Sequence, residues 1–287
     1  MTPKVLLKSA MMAGLMLTAS APALAQAPAV PAGFTALFDG KTLNGWSGDP
    51  SIWSVQDGAI TGHSDKDIPY NTYLILDKPF SSPNYEIRFK YRFQSEAGNS
   101  GLQFRSGQVA GNHIMAGLQA NIVALGGSAP RFAMLYDELD RQELVLTGQK
   151  ATIERAQASN GGTGRIVRTV HEMVNAGEDI QKVTRPRGEW NEGVLIVYGN
   201  RYVHAVNGHL AFDATDEDPL APKDGLIGWQ FHKGPPTTIQ FKDIVIQPLA
   251  AMPDISRFAS KPAPAPAPTR TYRDAIKVGS PDLPMPD

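Results

Sequence analysis

The run Tyr85-Glu86-Ile87-Arg88-Phe89-Lys90-Tyr91-Arg92-Phe93 puts an apolar residue at every odd position and a charged one at every even position. Successive side chains point to opposite faces only in an extended strand, so this run predicts a strand with one face on a core and the other in water. Gly101 to Arg105, Gly193 to Tyr198, Arg201 to Val206, Leu226 to Phe231 and Thr238 to Ile246 follow the same rule. Gly199-Asn200, between two of these runs, and Asn207-Gly208, after the second, are tight-hairpin signals. Many short strands, frequent turns and little helical periodicity predict an all-β sandwich. The chain contains no cysteine, so such a fold must rest on its core rather than on disulfides. An all-β domain of about 200 to 250 residues buries enough surface to do so.

One segment breaks the period. Val167, Val170, Met173 and Val174 have helical spacing and follow Gly161, Gly162 and Gly164, so 147–186 reads as a long loop or short helical insertion between strands. At the start, Lys4 and Lys8 precede an apolar run from Ala10 to Ala19 that ends in Ala23-Leu24-Ala25. This predicts a signal peptide over 1–25, a mature chain from Gln26, and a periplasmic or secreted location. The apolar run is shorter than the roughly 18 residues a bilayer requires, so no membrane span is expected. Residues 26–32 read as a short tether and 33–249 as the domain. The remainder, 250–287, reads as a Pro/Ala-rich linker, Lys261 to Thr269, and a polar tail. That tail is expected to be a flexible extension or a docking strip, and its removal to leave stability nearly unchanged.

The 27 basic and 28 acidic residues are mixed along the chain, which excludes a nucleic-acid footprint and favours an uncharged small-molecule partner. His171-Glu172-Met173-Val174-Asn175 lacks the second histidine of the zinc-protease helix motif. No cofactor is expected. A structural Ca²⁺ or other divalent ion on Asp213, Asp216 and Asp218 near Asp224 competes with the reading of a solvated acidic loop.

The segment Gly33-Phe34-Thr35-Ala36-Leu37-Phe38-Asp39-Gly40-Lys41-Thr42-Leu43-Asn44-Gly45-Trp46 resembles the opening motif of the 3-keto-disaccharide hydrolase family. Several further pieces follow in the family's order: Trp53 with Asp57-Gly58, Asn99-Ser100-Gly101-Leu102-Gln103-Phe104-Arg105, Gly188-Glu189-Trp190-Asn191, and His204 with Asn207-Gly208. Gly225-Leu226-Ile227-Gly228 with Gln230, then the closing Ile239 to Ile246, complete the match. Many members carry a tyrosine, glutamate and glutamine cluster, then an aspartate, in the strand after the asparagine-serine-glycine motif. Here that place reads Gly117-Leu118-Gln119-Ala120-Asn121, followed by Leu135-Tyr136-Asp137-Glu138 and Arg141, so the other branch's glutamate is not carried over.

The resemblance implies a jelly-roll β-sandwich of the concanavalin/laminin type with a sugar site on its concave sheet. The implied reaction cleaves glycosides whose C3 hydroxyl has been oxidised to a ketone. Such a ketone acidifies the C2 proton, so a base can remove it, the C1 substituent leaves by elimination, and water adds afterwards. The protein must supply a base, a stabiliser for the enolate oxygen and help for the leaving group. The alternative is a non-catalytic, lectin-like carbohydrate-binding module on the same fold. A conventional glycosidase would need paired carboxylates, whereas the strands offer one clear acid.

Alternation then proposes which side chains share the site face: Gln103 with Arg105, Gln119 with Asn121, Tyr136 with Glu138, Tyr202 with His204, and Gln230 with His232. Glu138 is the preferred base, against the alternative of a structural ion pair with Arg141. His232 and His204 are the other candidates for acid or base. Substrate contacts are expected from Gln103, Arg105, Gln119, Asn121, Tyr136, Trp190 and Gln230. Arg105 would hold an enolate oxygen or pair with a carboxylate, and Trp190 would stack on a pyranose or plug the core.

Overall fold

The computed structural model describes residues 30–109, 113–156 and 164–274. The expected signal peptide and cleavage site, most of the tether, the Gly161-Gly162 pair and the last residues of the tail lie outside them. Among the described residues the strands form two sheets of twelve and seven strands, stacked as a jelly-roll β-sandwich. No helix of the described residues is long and apolar enough to cross a membrane.

Tyr85–Phe93 lies in the larger sheet between Asn191–Tyr198 and Thr237–Pro248, all pairings antiparallel. Its odd-numbered side chains are buried against the facing sheet, while Arg88, Lys90 and Arg92 stay on the outer side. Across the gap, Trp229 stacks on Phe241 with ring centroids 4.1 Å apart and meets Phe89 edge-on at 4.9 Å. Each such ring, removed from water, contributes about 2–3 kcal/mol, and aromatic pairing adds about 1 kcal/mol. The seven-stranded sheet runs Gln142–Val145, Leu135–Glu138, Ile114–Val123, Asn99–Val109, Leu226–Phe231, Thr72–Leu76 and Trp46–Ser47 in spatial order.

Two expectations are corrected. The helix expected from Val167 is instead the strand Arg165–Met173, paired with Gln149–Ala156; the one α-helix among the described residues follows at Gly177–Val183. The helical spacing arises from a strand that buries Ile166, Val167 and Val170, together with a register shift between Lys150 and Ala151 that puts the apolar period out of step. Beyond Pro248 the chain stays on the sandwich. Leu249, Met252, Ile255 and Phe258 pack on Ile196, Val203 and Leu210 on the outer side of the larger sheet. Ala263–Pro264 and Arg270–Asp274 then add to the edge strand Arg165–Met173.

The tail therefore shields an edge that would otherwise be open. Deleting residues 261–287 is expected to lower the melting temperature by about 4–8 °C. The lost ladder bonds and contacts amount to roughly 2 kcal/mol, at about 2–4 °C per kcal/mol for a domain of this size. Scanning calorimetry of the truncated chain checks this, and an unchanged transition would place the tail off the sheet.

Candidate active site

The smaller sheet has one greasy and one polar face because its strands alternate. Leu118, Ala120 and Ile122, Leu102 and Phe104, and Ile227, Trp229 and Phe231 enter the core. The residues between them face the other way, and over them lies a cleft of about 340 Å³ walled by Tyr73, Gln119, Asn121, Tyr136, Glu138 and His232, among others. Five of the residues expected from sequence thus converge on one cavity.

Beneath them runs an amide network. Gln230, fully buried, donates from Nε2 to Glu138 Oε1 at 2.7 Å and to the Tyr73 hydroxyl at 3.1 Å. Gln119 Nε2 donates to Asn121 Oδ1 at 3.1 Å and lies 3.4 Å from Gln230 Oε1. Asn121 in turn donates to the Arg131 carbonyl oxygen at 2.9 Å. This reach depends on a missing side chain. A Cβ on Gly101 would stand 2.3 Å from Gln119 Cδ, so only glycine there lets Gln119 lie across the intervening strand towards Gln230. Gln119 Oε1 and Asn99 Oδ1, both from residues that wall the cleft, have no protein partner. A polyhydroxylated ligand is suited to such groups.

Glu138 ends the strand Leu135–Glu138 and is 8% exposed. Burial raises its pKa to about 7, assisted by the negative charge of Asp137 and opposed by the Gln230 hydrogen bond and Lys233. The ion pair weighed against catalysis belongs to its neighbour: Arg141 Nε meets Asp137 Oδ2 at 2.5 Å. Glu138 is thereby left to the cleft. His232 accompanies it there, with burial holding its pKa down. Its Nδ1 faces the Lys233 carbonyl oxygen, which can only accept, so Nδ1 carries the proton and Nε2 is the basic nitrogen.

Four expected site residues lie elsewhere. Arg105 sits at a register shift with a left-handed φ of 47°, which turns its side chain off the site face. It donates to Tyr202 of the facing sheet at 3.1 Å and to the Pro83 carbonyl oxygen at 3.0 Å. His204 points into the sandwich beside Phe212 with Nδ1 on the Val194 carbonyl oxygen, and burial lowers its pKa to about 4. It is a structural histidine. Trp190 is on the outer side of the larger sheet, its ring 4.4 Å from both Arg92 Cζ and Lys242 Nζ. Gln103 shares the site face, opposite Gln119 in register, yet is fully buried and does not wall the cleft.

The acidic residues considered for calcium are engaged by guanidinium groups. Arg201 holds Asp213, Arg141 contacts Asp216 and Asp218, and Arg155 also holds Asp218. Among the described residues no group of three or more His, Cys, Asp or Glu side chains is placed to hold a metal ion. Sequence reasoning missed Tyr73, Asn71 and Lys233. Tyr73 lies in Thr72–Leu76, whose residues are apolar on both faces, so no alternation marks it.

Solved structures with related architecture include a Parabacteroides distasonis chain described provisionally as a glycosyl hydrolase, at 18% identity and a TM-score of 0.47, covering 76% of this chain and 94% of that one. Carbohydrate binding module CBM66 from Bacillus subtilis matches at 15% identity and a TM-score of 0.44, covering 71% and 95%. A 3-keto-disaccharide hydrolase of Bacteroides thetaiotaomicron is 26% identical over 196 residues, which is 63% of this chain and 58% of that protein. The chain therefore spans somewhat over half the length of that relative. The model of the 3-keto-alpha-glucoside-1,2-lyase-like domain matches residues 33–247. With a match that runs from just before the first short strand almost to the end of Thr237–Pro248, the chain belongs to the family of 3-keto-alpha-glucoside-1,2-lyase-like domains.

Proposed function

We propose that the cleft cleaves glycosides carrying a ketone at C3, with Glu138 removing the C2 proton. The observation that supports this reading most is the state of Glu138: a carboxyl buried in the cleft, pushed up to about 7 and aimed by Gln230, whereas the cleft's other carboxyl, Glu143, is ion-paired with Arg131. A base poised near neutral pH suits abstraction of a proton acidified by an adjacent carbonyl. As C2–H breaks, its electrons form the C2–C3 double bond and the charge moves to the ketone oxygen. When the carbonyl re-forms, a C1–C2 double bond appears and the C1–O bond breaks, the departing alkoxide taking up a proton. Addition of water across C1 and C2 completes hydrolysis. Asn121, Gln119 and Tyr136 line the cleft and are the proposed partners of sugar hydroxyls, and the name of the Bacteroides relative agrees with a ketone-bearing disaccharide as substrate.

The test is to incubate the purified protein with a 3-keto-glucoside and with its unoxidised parent. Only the ketone should be consumed. Binding of both without turnover would replace the enzyme by a lectin-like module, and equal cleavage of both would indicate ordinary glycoside hydrolysis.

A further inference from the structure

Proton abstraction at C2 leaves a negative oxygen on C3, and Glu138 cannot stabilise it. Tyr73 lies beside Glu138 in the same cleft wall and is 1% exposed. The two groups share one amide nitrogen, since Gln230 Nε2 donates to the Tyr73 hydroxyl and to Glu138 Oε1. An amide NH₂ only donates, so the Tyr73 oxygen accepts there and its own proton remains available. The Asn71 side chain acts on the same phenol electrostatically, and with Gln230 it favours the negative form. The Asn71 oxygen is meanwhile occupied by the Lys233 backbone N–H at 2.9 Å. A phenol whose oxygen accepts such bonds is polarised, so its O–H is a stronger donor to an acceptor in front of it.

The geometry points to Tyr73 as the catalytic donor to the C3 oxygen, its O–H holding the enolate that forms when Glu138 takes the C2 proton. The assignment rests on the C2-abstraction reading proposed above. Adjacent substrate atoms, C2–H and C3=O, demand a base and a donor side by side, which is how Gln230 arranges these two side chains. No proton leaves Tyr73 in the abstraction step. The C2–H electrons pass through the C2–C3 bond onto the ketone oxygen, and return when the carbonyl re-forms and the C1–O bond breaks. Burial pushes the Tyr73 pKa well above the ordinary tyrosine value, which keeps the hydroxyl protonated and able to donate.

Deuterium uptake at C2 of methyl 3-keto-glucoside, followed by NMR in D₂O, separates enolate formation from departure of the C1 group. Tyr73→Phe should slow uptake by about 10²- to 10³-fold, the usual scale for losing one oxyanion donor. KM should change far less, and the melting transition should remain cooperative. Uptake at the wild-type rate with slowed elimination would place Tyr73 on the leaving group and overturn the assignment. Absence of uptake by the wild-type protein would instead sink C2 abstraction itself, and the role of Tyr73 with it. If Tyr73→Phe does not fold, 3-fluorotyrosine at position 73 keeps the ring and hydroxyl while strengthening the donor. Uptake should then be faster, and an unchanged rate would overturn the assignment.

Discussion

Replacing Glu138 with glutamine is expected to lower turnover of a 3-keto glycoside by about 10²- to 10⁴-fold and, at the same time, to stabilise the protein above neutral pH. The amide keeps an oxygen for the hydrogen bond from Gln230 Nε2, so the network and substrate affinity should change little. Activity has a definite pH dependence. The base works ionised, so kcat/KM of the wild type should rise with pH through about 7.

Stability moves in the opposite sense. The folded-state pKa of Glu138, about 7, lies above its ordinary value of 4.5, so the native state binds more protons than the unfolded one between those limits. Below 4.5 the carboxyl is neutral in both states and costs nothing extra; as pH rises through 7 the full cost of a buried charge appears, on the order of 3 kcal/mol. Glu138→Gln removes that cost. Its melting temperature should exceed that of the wild type at pH 8 and match it near pH 4. A merely structural Glu138 would give the reverse pattern, with stability lost and activity kept in the folded molecules. Normal C2 exchange in a folded Glu138→Gln protein would pass the role to His232, the remaining imidazole in the cleft.

The pair Gln119 with Asn121 was legible in the sequence because it sits on a strand whose other face is apolar, and burial of that face dictates which way the polar residues point. For Tyr136 with Glu138 the other face holds Leu135 and the ion-paired Asp137, so only Leu135 marked the side. Arg105 defeated the same reasoning. Its left-handed φ belongs to a register shift facing Gly117, and nothing in a local pattern announces an arginine in that conformation. His204 was misread for another reason. Val203 and Ala205, its neighbours, are covered by the segment from Leu249 to Phe258, so both faces of that strand are buried and the polar residue no longer marks the open side. Tyr73 is the converse case, a polar group on a strand apolar on both faces, identified as part of the site only by its hydroxyl against Gln230.

The largest loss of stability is expected at Arg141, which is 1% exposed and ties the strand carrying Glu138 to the facing sheet. Its guanidinium reaches Asp137 on one side and Asp216, in His209–Asp216, on the other, with Asp218 next in the chain at 3.3 Å. Burial raises the pKa of Asp137 to about 6 despite that partner, so this carboxylate is already held at some cost. Arg141→Met keeps much of the volume but takes the guanidinium away from three buried carboxylates, of which Asp218 is also held by Arg155. Removing one partner of a buried ion pair costs about 3–5 kcal/mol, or roughly 6–20 °C in melting temperature for a domain of this size. The deficit should depend on pH in a way that a packing defect would not. Without the guanidinium the pKa values of Asp137 and Asp216, already raised by burial, rise further above their unfolded values. Groups raised in this way add stability below the unfolded value, near 3.8 for aspartate, and lose it as pH climbs through the folded one. The difference between variant and wild type should therefore be greatest above pH 7 and shrink towards pH 4. Urea titrations of both proteins at the two pH values check it, and a deficit under 1 kcal/mol at pH 7 would show that Arg141 does not hold the sheets together. Because Asp137 and Glu138 are adjacent and point to opposite faces, a loosened Asp137 should also shift the carboxyl proposed as the base. The surviving folded variant is accordingly expected to lose kcat more than it gains in KM.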